Sequence, residues 1–141
     1  MAALASVTVS SEQSLFPIDN VFDGRGGPGG SCWVAADAGA QTVVLAFDAP
    51  HALRSVHIEA EEHSTTRTQQ VTLSTSRDNA KTYDASPTRQ FTFSPYGATF
   101  ERETWDVALD GVTHVRMEIT PDHTHEAGEP ARACLTSVVL R

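Results

Sequence analysis

Apolar and polar residues alternate with a period of two along most of the chain. Val7 and Val9 alternate with polar neighbours in Ser6–Ser11, and Val43, Leu45 and Phe47 do so in Thr42–Phe47. The same pattern runs through Ser55–Ala60, the β-branched Gln70–Thr75 and the short Gln90–Phe93. Trp105, Val107 and Leu109 share one face of Thr104–Leu109, and Val115, Met117 and Ile119 share one face of His114–Ile119. Cys134–Leu140 reads as a last strand. Successive side chains of a strand point to opposite faces, so this spacing predicts strands with one buried face. Nowhere do apolar residues recur at i, i+3, i+4 and i+7 over a helix-length window.

Turn residues separate these runs. Asp48-Ala49-Pro50 ends one strand, Asp78–Lys81 and Ser94–Gly97 form turns, and Asp110-Gly111 is a hairpin-type signal. Pro17 breaks Leu15–Ile18, which predicts an irregular or single-turn segment, and Pro121–Pro130 reads as a polar loop. Before Trp33 lies the densest punctuation, Asp23-Gly24 followed by Arg25-Gly26-Gly27-Pro28-Gly29-Gly30. Such a run cannot continue a strand or a helix, and Trp33 behind it is expected to plug one end of the core. The whole pattern predicts an all-β fold, an antiparallel β-sandwich or barrel.

A length of 141 residues implies a single domain, 1–141. The net charge of −8 sets the chain against phosphate backbones and anionic headgroups, so no nucleic acid and no membrane insertion are expected. No apolar stretch has the length of a transmembrane helix. Met1–Ala5 lacks the basic region of a signal peptide, so the chain as written reads as cytoplasmic, or as extracellular if it is an excised module. A bridge between Cys32 and Cys134 would close a loop of about 100 residues, worth ~4–5 kcal/mol in the chain-entropy model. Without an export signal, free buried thiols are the favoured expectation.

The order of several short motifs resembles the discoidin, or factor V/VIII type C, family of galactose-binding-like domains. Val7–Ser11 is similar to its opening segment, Asn20-Val21-Phe22-Asp23-Gly24 to its Asp-Gly turn, and Ser31-Cys32-Trp33 to its Thr-x-Trp. Leu45–Asp48, Ser74–Asn79, Val115–Ile119 and Leu135–Leu140 resemble later strands and turns, with Asn79 where the family has Gly. The resemblance covers nearly the whole chain. It implies a jelly-roll-like antiparallel β-sandwich of about eight strands, with ligand loops at one end. Relatives bind glycans in many bacterial modules and lipid headgroups or proteins in others. It also implies a structural calcium ion at Asp23 and Ser31, with Ser137 standing where a second acidic ligand is usual. The plain alternative is that Asp23 caps its own turn.

Sugar recognition needs planar polar groups and an aromatic face. His63 and Arg67, in the loop Glu61–Arg67, are the candidate polar pair, and Tyr96 and Phe100 the candidate platform. A merely solvated loop is the competing reading. Asp122, His123, His125 and Glu126 form a metal-like cluster, but it has no matching Cys or His pair elsewhere, so a ligand or partner contact is favoured. No nucleophile elbow, phosphate loop or HExxH is present. The expected function is non-catalytic carbohydrate binding, with an intracellular protein–protein adaptor as the alternative.

Overall fold

The computed structural model describes residues 4–25, 27–64, 66–125 and 131–141, with 122–125 described by backbone alone. In chain order the strands are β1 (Leu4–Val9), β2 (Trp33–Val34), β3 (Gln41–Glu61), β4 (Arg67–Ser76), β5 (Asp84–Ala85), β6 (Arg89–Phe93), β7 (Phe100–His125), β8 (Cys134–Leu135) and β9 (Ser137–Leu140). Named strand pairs among the described residues are antiparallel.

Two long bent strands build the antiparallel sandwich. The first half of β3 pairs with β1 and with the second half of β7, which pairs in turn with β4. β5 and β6 then extend that layer from β4. The second half of β3 pairs with β9 on one side and with the first half of β7 on the other, making the smaller layer. β3 and β7 stay neighbours from Gln41↔Ile119 to Glu61↔Phe100, with register shifts between Ala46 and Ser55.

Those bends correct two expectations. Asp48-Ala49-Pro50 does not end a strand, because β3 runs through it. Pro50 has no N–H to give a ladder, and it falls in the gap between Ala46↔His114 and His51↔Val112 where the register breaks. Asp110-Gly111 is not a hairpin. A hairpin would pair Thr104–Leu109 with His114–Ile119, whereas both segments pair with β3. Left-handed Ala108 (φ 48°) and Gly111 (φ 70°) instead kink β7 as it passes between layers. β7 also continues through Pro121 to His125, into the stretch read as loop, because Thr124 and His125 pair with Thr68 and Arg67. The side chains of Asp122, His123 and His125, and all of Glu126, lie outside the described residues.

The core forms one cluster between the layers. Val43, Leu45, Val71, Leu73, Phe91, Phe93, Val115, Met117 and Ile119 face inward from the larger layer, and Val56, Ile58, Ala60, Trp105, Val138 and Leu140 from the smaller one. Burial of each large apolar side chain contributes about 1.5–3 kcal/mol. Both indoles are buried with their N–H groups satisfied: Trp33 donates to Ser11 O at 3.0 Å and Trp105 to Pro87 O at 2.6 Å. Val107 and Leu109 are only half-buried, because left-handed Ala108 interrupts the alternation between them.

The segment around Pro17 is a single 3-10 turn, Ile18–Phe22. The Glu12 carboxylate accepts the Ile18 N–H at 2.7 Å, and Ile18 and Val21 are buried. Asn20 donates to Cys32 O at 2.8 Å, tying the start of the glycine loop to its end.

Candidate functional site

At the end of the sandwich where β3 finishes lies an open cavity of about 450 Å³. Cys32, Val34, Cys134 and Thr136 line it from β2, β8 and their flanks. Glu61, Glu62, His63 and Ser64 line it from the turn after β3, joined by Arg67, Ala131 and Arg132. The arrangement follows from pairing. Trp33↔Leu135 and Val34↔Cys134 place the short β2–β8 ladder beside β3, and Glu61 is the last residue of β3, opposite Phe100.

Arg67 lies in the cavity wall with its side chain only 3% exposed. Its guanidinium donates to Pro121 O at 3.0 Å, to Arg132 O at 2.9 Å and to Cys134 Sγ at 3.3 Å. Nε is 3.0 Å from Glu62 Oε1, an ion pair whose angle falls short of a hydrogen bond. The group read as a ligand contact is therefore bound up in holding β4, β7 and β8 together. Gln69 does similar work: it is fully buried, its Nε2 donates to Cys134 O at 2.9 Å and its Oε1 accepts the Cys134 N–H at 3.1 Å. Sequence reading missed Gln69, because a polar residue within an alternating strand gives no sign of a partner 65 residues away.

His63 does face solvent, with its side chain 64% exposed, and its Nε2 lies 3.4 Å from Glu61 Oε2. Arg132 is also exposed and donates to Ala36 O. Tyr96 stands fully exposed on the Ser94–Gly97 turn, and Phe100 is half-buried at the start of β7. Both belong to the same end of the sandwich, where Glu62 N–H donates to Thr99 O at 2.8 Å, but neither ring lines the cavity. The expected platform is thus separate from His63 and Arg67. Exposed Leu15 and Phe16 lie on a segment joined to the cavity wall, with Phe16 O accepting the Val34 N–H at 3.1 Å.

Both cysteines are free thiols. Val34↔Cys134 pairing sets Cys32 diagonally from Cys134, about 7–8 Å in an antiparallel ladder, which is beyond the usual reach of a disulfide. Burial pushes the Cys134 thiol up to about 11, against the pull of Arg67. Burial, with help from Glu61, also raises Cys32.

The glycine loop closes against the same end of β3. Asp23 is exposed, accepting the Ser31 hydroxyl and, at 2.8 Å, the Arg25 N–H. These two bonds, Ser31 foremost, hold its carboxyl below the usual range. Gly27 N–H donates to Glu59 Oε1 at 2.8 Å, and Gly29 N–H to both oxygens of Glu61 at 3.1 Å. Calcium takes six to eight oxygen ligands. Around Asp23 the loop supplies one carboxylate already engaged twice, and Ser137 is a buried hydroxyl. That donor set does not fit the ion.

No protein-family model matches the sequence, and no curated protein matches it. Solved structures do. A pectin-binding carbohydrate-binding module superposes with a TM-score of 0.65 at 16% identity, covering 99% of this chain and 91% of that one. CBM32-3 from a family 31 glycoside hydrolase of Clostridium perfringens gives 0.67 at 14% identity, covering 97% and 89%. The family 32 module of C. perfringens NanJ, solved with galactose, gives 0.60 at 12% identity, covering 99% and 98%. This chain has their fold. It is an antiparallel β-sandwich, as the alternation and the resemblance led us to expect.

Proposed function

We propose that the chain is a non-catalytic carbohydrate-binding domain of discoidin type that takes a sugar into the cavity at the end of β3. The observation that carries this reading is the cavity itself, which sets polar groups above a small, soft floor. Exposed His63 and Arg132, with Glu61 between loop and strand, offer planar donors and acceptors to vicinal hydroxyls. Half-buried Val34 and Cys32 offer a surface for the C–H side of a ring. Arg67 serves the wall rather than the ligand, and Tyr96 and Phe100 lie outside the lining.

Two features support binding over catalysis. Glu61 and Glu62 both line the cavity, and each is already held by the fold's own donors, Gly29 and His63 for one, Arg67 and Ser64 for the other, which leaves Glu61 lone pairs for a sugar hydroxyl but no pair of free carboxylates. The structural neighbours also favour it: two are a pectin-binding and a chitosan-binding module, and others are solved in complex with galactose, N-acetylgalactosamine or an unsaturated mannuronic acid.

The test is a glycan array that includes galactosides, N-acetylgalactosaminides, polygalacturonate, mannuronate oligomers and chitosan oligomers. Binding is expected, and His63→Ala or Arg132→Ala should weaken it about tenfold, the value of one lost polar contact. A blank array from folded protein would overturn the reading and favour a protein partner.

A further inference from the structure

We propose that the glycine loop is clasped onto β3 by Glu59 and Glu61 in place of a metal ion, and that this clasp positions Glu61 at the cavity mouth. The first half of the proposal stands on the loop alone; the second rests on the sugar-binding reading. Glu59 and Glu61 are two residues apart on a strand, so both project to the same side while Ala60 between them is buried. Gly27 and Gly29 are also two residues apart, and their N–H groups meet those two carboxylates. The result is a ladder of two rungs between main chain and side chains.

Glycine is required on the loop side. Gly27 (φ 89°) and Gly29 (φ 78°) are left-handed, and a Cβ on Gly30 would lie 1.9 Å from Arg25 O. On the strand side Glu59 is braced from behind. His57 Nε2 lies 2.9 Å from Glu59 Oε2, and the other ring nitrogen lies 2.9 Å from Thr104 Oγ1. The polarity is the opposite of a cation site. Here the loop turns N–H groups, the positive ends of peptide dipoles, toward fixed anions, whereas a calcium loop must turn carbonyl oxygens toward the ion. Glu61 then has three roles in one place: it accepts Gly29, lies beside His63 and lines the cavity. Glu59 acts through it as a positioning residue.

The experiment uses the full chain and reads three things: thermal unfolding, the rate of tryptic cleavage after exposed Arg25, followed by mass spectrometry, and binding of a methyl galactoside. Each is measured with millimolar calcium and with chelator, for wild type, Glu59→Ala and Glu59→Gln. Calcium and chelator should leave melting and cleavage unchanged. Glu59→Ala should speed cleavage after Arg25 about tenfold, the value of one charge-assisted hydrogen bond in a local opening. Glu59→Gln, whose amide oxygen still accepts Gly27 N–H, should restore much of the protection. Galactoside affinity should fall severalfold in Glu59→Ala and recover in Glu59→Gln. A saturable calcium-induced rise in melting temperature or protection of Arg25 would overturn the clasp, as would unchanged cleavage in Glu59→Ala. Galactoside binding that ignores Glu59→Ala would overturn the positioning role. If the wild type binds no methyl galactoside, the positioning role is overturned, while the array still decides the sugar reading and the cleavage arm the clasp.

Discussion

Arg67→Met separates a wall residue from a ligand residue. The guanidinium is almost fully buried and meets four groups, the Glu62 carboxylate, the carbonyls of Pro121 and Arg132, and Cys134 Sγ. Methionine fills similar volume but leaves every one of those groups without its donor. Removing the desolvated cation relieves a burial cost of several kcal/mol, so the four contacts cannot simply be added. Breaking one side of a buried ion pair costs about 3–5 kcal/mol. The Glu62 side chain keeps 21% of its surface in water, which places this site at the lower end. The expected loss is about 3 kcal/mol, or a fall in Tm of roughly 10 °C for a chain of this length. Calorimetry and urea unfolding should agree on it, and adding Glu62→Gln should recover part of the loss by removing the orphaned charge. A fall of less than about 3 °C, accompanied by loss of sugar binding, would refute the structural role and return Arg67 to the ligand.

Trp105→Phe should destabilise the domain by about 2 kcal/mol in urea titration, because it leaves Pro87 O without its 2.6 Å donor and opens space in the core. Asp78 is held down to about 2 by the Thr82 hydroxyl first, then the Thr82 N–H and the Ser76 hydroxyl. Its folded value lies below the ordinary 3.8, so its contribution is present above that pH and lost as pH falls toward 2. Asp78→Asn should therefore flatten the acid limb of the stability curve in that window, measured by urea midpoints. With an aryl disulfide reagent at mildly alkaline pH, Cys32 should label slowly and Cys134, raised to about 11, should stay silent until denaturant is added; rapid labelling of both would refute the burial argument.

Period-two alternation made the strands legible, because inward positions such as Val43, Leu45, Val115 and Met117 need only be apolar to betray their face. The bends were not legible. Asp110-Gly111 carries the residues of a hairpin, and only pairing with a distant β3 shows that the chain goes straight on. The site was legible in part for a related reason. Residues near His63 could be recognised as one polar loop, but whether Arg67 faces water or Glu62 depends on where β7 and β8 come to rest. Asp23 drew attention because it sits within its motif. The carboxylates that meet the loop N–H groups come from 32 residues further along, where Glu59 and Glu61 look like ordinary outward acids of a half-buried strand.

Because β3 and β7 each belong to both layers, neither layer owns a complete set of strands. Detaching one half of β3 from its neighbours strips partners from the other half as well, so partial unravelling has no stable resting point. The domain should unfold in a single transition, with calorimetric and van't Hoff enthalpies equal. The same sharing delays its formation. Gln41 must find Ile119 before the larger layer closes, and Glu61 must find Phe100 before the smaller one does. Contacts so distant in sequence place folding in the millisecond-to-second range of β-sandwiches, and the cavity is among the last features assembled, since its walls come from three widely separated stretches of the chain.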